Sequence, residues 1–229
     1  MGTLWDSIVQ AVHLIVSLDP EVVDITWRSL RISVASTLLA ALICIPLGGL
    51  ITFRSFPGKR LLINIIQTLY SVPTVCVGLL VYIFVSHAGP LGSLDLVFTP
   101  TAMVVAQMLL IAPVLLGMTI SALGSVDKTI KDTTLSLGAS EFQAIWAIMK
   151  EARFAIIAAL LLGFGRAISE VGAASIVGGN IWRYTRNLTT AIQLATVQGE
   201  FAFALALGII LIGVAMIVSL AANIVQQKR

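Results

Sequence analysis

The 229-residue chain is 58% hydrophobic and 11% charged, with a net charge of +3 and a mean hydropathy of +1.02. No soluble domain of this length could hide so much apolar surface, so the composition excludes that class and points to an all-α integral membrane protein in a lipid bilayer. Cys44 and Cys76 lie within apolar runs as small packing residues, and His13 and His87 stand apart without a second ligand, so no metal or redox site is expected.

In chain order, the apolar run from Leu4 to Leu18 is too short to span and lacks the basic flank of a signal peptide, so it predicts an interfacial helix ending at Asp19-Pro20. Asp24 or Thr26 is the expected cap of the next helix. Five membrane-length runs follow. The first covers about Arg31 to Phe53 with Pro46 near its end, the second Leu61 to Ser86 with Pro73, and the third Thr101 to Leu123 with Pro113. A fourth extends from Phe154 to Val177 and a fifth from Phe201 to Val225. The prolines predict bent spans, because each removes a backbone donor.

Basic residues decide the orientation. Arg54, Lys59, Arg60, Lys128, Lys131, Lys150, Arg153, Lys228 and Arg229 fall on one side of a five-span layout. Arg28, Arg31, Arg183 and Arg186 fall on the other, accompanied by six carboxylates. The expected arrangement is N-terminus outside and C-terminus cytoplasmic.

Between the third and fourth runs lies DKTIKDTTLSLGASEFQAIWAIMKEARF, residues 127–154, the one long polar interruption. Ile130, Thr134 and Leu137 recur at helical spacing before Gly138, and Phe142, Ile145, Trp146 and Met149 do so after it. Glycine turns the backbone where a Cβ would clash, so the stretch predicts two short amphipathic helices meeting at a tight bend. Such a pair serves either as a ridge for a soluble partner or as a hairpin packed on its own spans.

Arg166 and Glu170 are the charges that must enter the membrane with the fourth span, one helical turn apart and able to pair. They form either a self-neutralising pair facing the bundle or part of a pathway or gate. Gly163, Gly165, Gly172, Ala173 and Ala174 give this span a small-residue surface. Gly58-Lys59 lacks the spacing of a phosphate-cradling loop, and neither HExxH nor GxSxG occurs, so catalysis by this chain is not expected. An ion-coupled carrier or channel is disfavoured by the shortage of ionisable groups and of an internal repeat.

The central stretch resembles the cytoplasmic loop of binding-protein-dependent ABC importer permeases. Their pattern of Glu-Ala-Ala, three residues, Gly, nine residues and Ile-x-Leu-Pro is matched by Asp132, Thr133 and Thr134, then Gly138, then Ile148, with Lys150 and Glu151 in place of Leu-Pro. Residues 89–107, 150–156 and 163–181 together look like the tungstate-uptake permeases, and related molybdate and sulfate permeases carry an Arg-Ala-x-x-Glu-x-Gly signature matched from Arg166 to Gly172.

That resemblance implies a type I ABC importer-like fold in a prokaryotic inner membrane. It implies a homodimer, two ATP-binding cassette subunits that bind ATP and Mg, and an extracytoplasmic tungstate-binding protein, with no cofactor in this chain and no nucleic acid. Asp132, Thr133, Thr134, Leu135, Gly138, Ala139 and Glu141 inherit the role of coupling to the ATPase, within a loop at 123–153. Arg166, Glu170 and Gly172 are the pathway or gate candidates. The chain divides into an extracytoplasmic segment, 1–26, and a transmembrane domain, 27–229. Segments 87–100 and 178–200 are expected to receive the binding protein. Tungstate is the expected cargo, with molybdate or another tetrahedral oxyanion as the alternative.

Overall fold

A computed structural model describes residues 4–227, and every regular element among them is helical. Lys228 and Arg229, two of the basic residues used above to orient the chain, lie outside the described residues, as do the first three residues of the predicted extracytoplasmic segment.

Helix α1 (Leu4–Val16) turns only Ala11 fully inward, while Leu4, Trp5, Val9, Val12 and Val16 are exposed. Asp19 then caps α2 (Pro20–Phe53): its carboxylate accepts the N–H groups of Glu21 and Val22 at 2.9 and 3.2 Å. The cap is therefore upstream of the expected Asp24 or Thr26, because Pro20 at the first helical turn needs no donor partner and lets the helix begin there. At about 1.5 Å per residue α2 is roughly 51 Å long, so it crosses a bilayer and protrudes. Pro46 is accommodated without a break.

The second run is interrupted. Helices α3 (Lys59–Thr68) and α4 (Thr74–Val85) are joined by a 3-10 turn and an extended Val72-Pro73, and their axes differ by 98°. Proline restricts the residue before it to extended backbone, so the predicted bend becomes a near right angle. Helix α5 (Pro100–Gly124), by contrast, runs unbroken through Pro113. Helices α6 (Lys128–Ser136) and α7 (Glu141–Glu151) form the polar hairpin. The fourth run is also broken, into α8 (Arg153–Ile168) and α9 (Gly172–Gly178), bent by 59°. A turn at Gly179 and Asn180, both with positive φ, leads toward α10 (Leu188–Gln198), a helix within segment 178–200, and α11 (Phe201–Gln226) closes the bundle. Among the described residues, three helices are long and apolar enough to cross a membrane, or up to five if each broken pair counts as one span.

Helix α5 is the axis of the bundle, with Met103, Ile111 and Leu115 fully buried. Small residues of α2, namely Ala40, Ala41 and Cys44, pack against its Leu110, Ile111 and Leu115. Apolar burial drives little association inside a bilayer, so close backbone approach through small side chains supplies the contact. One end of the bundle gathers α1, the start of α2, α10 and the start of α11 around Val22, Ile25, Leu188 and Leu207. The end of α5 meets α7 and α8 around Leu123, Ile148 and Ile156, with Phe53 of α2 packed on them.

Candidate functional site

The hairpin is built from local rules. Asp127 caps α6 by accepting the Thr129 N–H at 2.9 Å, and that bond holds its carboxyl below the usual carboxylate range. At the other end the Gly138 N–H reaches the Leu135 carbonyl at 2.9 Å and the Ala139 N–H reaches that of Thr134 at 3.2 Å. This is the paired bonding of a Schellman terminus, and Gly138 occupies its left-handed position at φ +85. Helix α7 then starts from a reciprocal cap. The Ser140 hydroxyl accepts the Gln143 N–H, and the Gln143 amide oxygen accepts the Ser140 N–H. The Ser-Glu-Phe-Gln spacing announces that cap in the sequence. Lys131 and Glu141 form an ion pair of 3.3 Å across the bend. Little slack remains between the two helices.

Helix α7 buries Ala144 and packs Ile148 against α5 and α8, whereas Phe142 is 76% exposed, Trp146 63% and Leu137 83%. Phe142 and Trp146, four residues apart, share one uncovered face of α7, and Leu137 is uncovered next to the bend. Of the predicted coupling residues, Asp132, Thr133, Gly138 and Glu141 are exposed, while Thr134, Leu135 and Ala139 are half-buried. The missing Leu-Pro leaves the junction with the membrane nearly helical: Ala152 alone separates α7 from α8, at φ −75 and ψ −2. There the Arg153 guanidinium donates to the Lys150 carbonyl at 2.7 Å and lies over the Phe154 ring.

The intramembrane charges are separated and do not pair. The chain leaves α8 before Glu170, so the one-turn spacing that would bring it to Arg166 is lost. Arg166 is exposed on the bundle surface and makes no ion pair with Glu170. Glu170 is only 5% exposed, and from one residue ahead of the N-cap Val171 its carboxylate accepts the Ala173 N–H in the first turn of α9 at 2.9 Å. The Glu170 carbonyl in turn accepts the Thr189 hydroxyl at 2.6 Å, and Asn187 accepts from Thr189 and Thr190. Thus α10 props the break in the fourth span. Gly172 sits at the same break, where an added Cβ would lie 2.8 Å from the Thr74 hydroxyl at the break in the second span. The two interruptions, distant in sequence, are adjacent in space.

At the α1 and α10 end, Trp182 donates to Glu21 at 3.2 Å, Arg186 pairs with Glu21 at 3.6 Å, and the Leu188 N–H bonds the Ser29 hydroxyl at 2.7 Å. Phe98 donates to the Val177 carbonyl at 3.1 Å, joining the loop after α4 to the end of α9.

Residues 44–229 match the family described as binding-protein-dependent transport system inner membrane component. The chain is 42% identical, over 88% of its length and 89% of the relative's, to the tungstate uptake system permease protein TupB of Peptoclostridium acidaminophilum. It is 40% identical, over 85% of its length and 86% of the relative's, to a probable anion ABC transporter permease protein of Haloferax volcanii. Among solved structures, an inward-facing MetNI methionine ABC transporter superimposes with a TM-score of 0.70 at 17% identity, covering 92% of this chain and 97% of that one.

Proposed function

The chain belongs to the family of binding-protein-dependent transport system inner membrane components, and on that premise we propose that it passes tungstate inward through the membrane, driven by ATP hydrolysed elsewhere. It is the permease subunit of an ABC transporter, a multi-pass membrane protein whose ATPase is a separate subunit. It works with that ATPase and with a binding protein that delivers the substrate. In the proposed assembly two copies of this chain sit above two ATP-binding cassettes, with the N-terminus and the α10 end outside and the hairpin and C-terminus in the cytoplasm.

The observation that carries this reading is the hairpin. A bend fixed by Gly138, two capped helices and an ion pair make a stiff lever. Its Leu137, Phe142 and Trp146 side chains are uncovered and available to an ATPase groove. Asp132, Thr133, Thr134, Leu135, Gly138, Ala139 and Glu141 form the coupling surface with them. Closure of the cassettes then moves α7, and through the short Ala152 junction it moves α8. Glu170 and Gly172, set where the two broken spans touch, act in the gate. Arg166 lies on the exposed face of α8, ahead of that break, facing a pathway between the two copies.

The cargo follows from the tungstate-uptake relatives, and the relative named only for anions keeps molybdate or another tetrahedral oxyanion as the alternative. The test is ATP-driven uptake of labelled tungstate into vesicles holding this chain, its ATPase and its binding protein. Uptake that resists excess molybdate and sulfate supports tungstate; equal competition by molybdate widens the cargo to its class. No accumulation of any oxyanion overturns the reading.

A further inference from the structure

A cavity of about 560 Å³ opens between the start of α2, the start of α5 and the loop after α9. Arg28, Arg31 and Arg183 line it together with Asp24, and Ile32 and Val104 are part of its apolar wall. Three guanidinium groups against one carboxylate leave it doubly positive. Arg28 is committed: it pairs with Asp24 and donates to the Arg186 carbonyl at 2.8 Å. Arg31 and Arg183 are exposed and take part in none of the ion pairs among the described residues. Arg183 is held at φ +56, an uncommon conformation outside glycine, with its guanidinium stacked 4.4 Å over Trp182. That stacking fixes the planar fork while leaving its donors free.

The depth of the cavity is also informative. The uncharged run from Ile32 to Phe53 measures about 33 Å at roughly 1.5 Å per residue, a little more than a hydrocarbon core of about 30 Å. Arg31 therefore stands at the boundary where the membrane begins. The neighbouring cavity of about 540 Å³ at the same end carries Glu21 and Glu200 against Arg186 and would repel an anion. The doubly positive cavity would instead concentrate one.

We propose that this cavity is a receiving site for a tetrahedral oxyanion dianion, in which Arg31 and Arg183 hold the ion after the binding protein releases it and before it enters the spans. The assignment rests on the oxyanion reading given above. Guanidinium forks suit it because each donates two parallel N–H groups to adjacent oxygens of a tetrahedral ion. A phospholipid headgroup offers similar phosphate chemistry, but as a singly charged diester it matches the charge of the cavity less well.

The test uses the permease with its ATPase in nanodiscs of neutral phosphatidylcholine, without the binding protein, and measures equilibrium binding of labelled tungstate. The wild type is expected to bind saturably. The double variant Arg31→Gln/Arg183→Gln should bind at least about tenfold more weakly, and Arg31→Lys/Arg183→Lys should keep most of the affinity. Equal binding by the wild type and the double glutamine variant would overturn the site. So would loss of tungstate binding when phosphatidylglycerol is added to the disc, since a lipid would then be the occupant. A double glutamine variant that binds tungstate normally but no longer captures the binding protein would also overturn it, making the arginines partners of protein carboxylates. Vesicle uptake separates this proposal from its premise. If the wild type imports no tetrahedral oxyanion, both fall; if it does and the double glutamine variant imports equally, only the receiving site falls.

Discussion

Gly78 of α4 lies directly against Ala173 of α9: a Cβ built at Gly78 would stand 2.6 Å from the Ala173 Cα. The contact joins the C-terminal halves of two broken spans, and close beside it Gly172 meets Thr74. No side chain fits there without the helices moving apart.

Gly78→Val is therefore expected to destabilise the permease by about 1–3 kcal/mol through overpacking. The check is a thermal unfolding curve of the purified protein beside Leu79→Val, whose site is exposed and should tolerate the change. Equal melting of the two variants would mean that α4 and α9 separate freely.

Gly138→Val should uncouple transport from ATP hydrolysis while leaving the chain inserted. The left-handed backbone at φ +85 costs a non-glycine residue roughly 1–3 kcal/mol, and no neighbour crowds a Cβ at this position, so the effect is conformational and not steric. Gly138→Asn, which tolerates that backbone better, should recover part of the coupling. Uptake and hydrolysis measured on the same vesicles decide it: unchanged uptake per ATP in the valine variant removes the lever.

Trp146→Ala and Phe142→Asp should weaken retention of the ATPase during purification without lowering the melting temperature of the permease. Both side chains are largely exposed and contribute little to the bundle. Loss of about 2 kcal/mol or more of binding is the size expected when an aromatic anchor is removed from an interface. Full retention of the ATPase by both variants would place its docking surface elsewhere.

Glu170→Gln should preserve folding, since an amide oxygen can still accept the Ala173 N–H. Glu170→Ala should cost about 0.5–2 kcal/mol by leaving the first-turn Ala173 N–H of α9 without its acceptor. Thr189→Val removes the hydroxyl bonded to the Glu170 carbonyl and is expected to act in the same direction. Comparison of the three melting curves tests whether Glu170 serves the break: a glutamine variant as unstable as the alanine one would point instead to a required charge.

A reagent that labels cysteines from outside intact cells should reach a cysteine placed at Leu4 and miss one placed at Ser136. The opposite pattern would invert the proposed orientation.

The sequence by itself determined the apolar runs and the polar hairpin. Length and hydropathy are properties of a segment alone, and the need for glycine at 138 is a property of one backbone position. The family resemblance was legible in the same way, from contiguous stretches around Arg166 and Gly138, and the comparisons bear it out. Only the tertiary structure decided that Pro73 turns the second span through 98° and that the fourth breaks before Gly172. It also decided that Glu170 turns to α9 and not to Arg166, because a side chain takes whichever donor the fold brings near. The exposure of Phe142 and Trp146 and the meeting of Arg31 with Arg183 belong to the same class. Which face of a helix is covered, and which distant segments share a cavity, depends on packing between elements, and a one-dimensional pattern contains no packing.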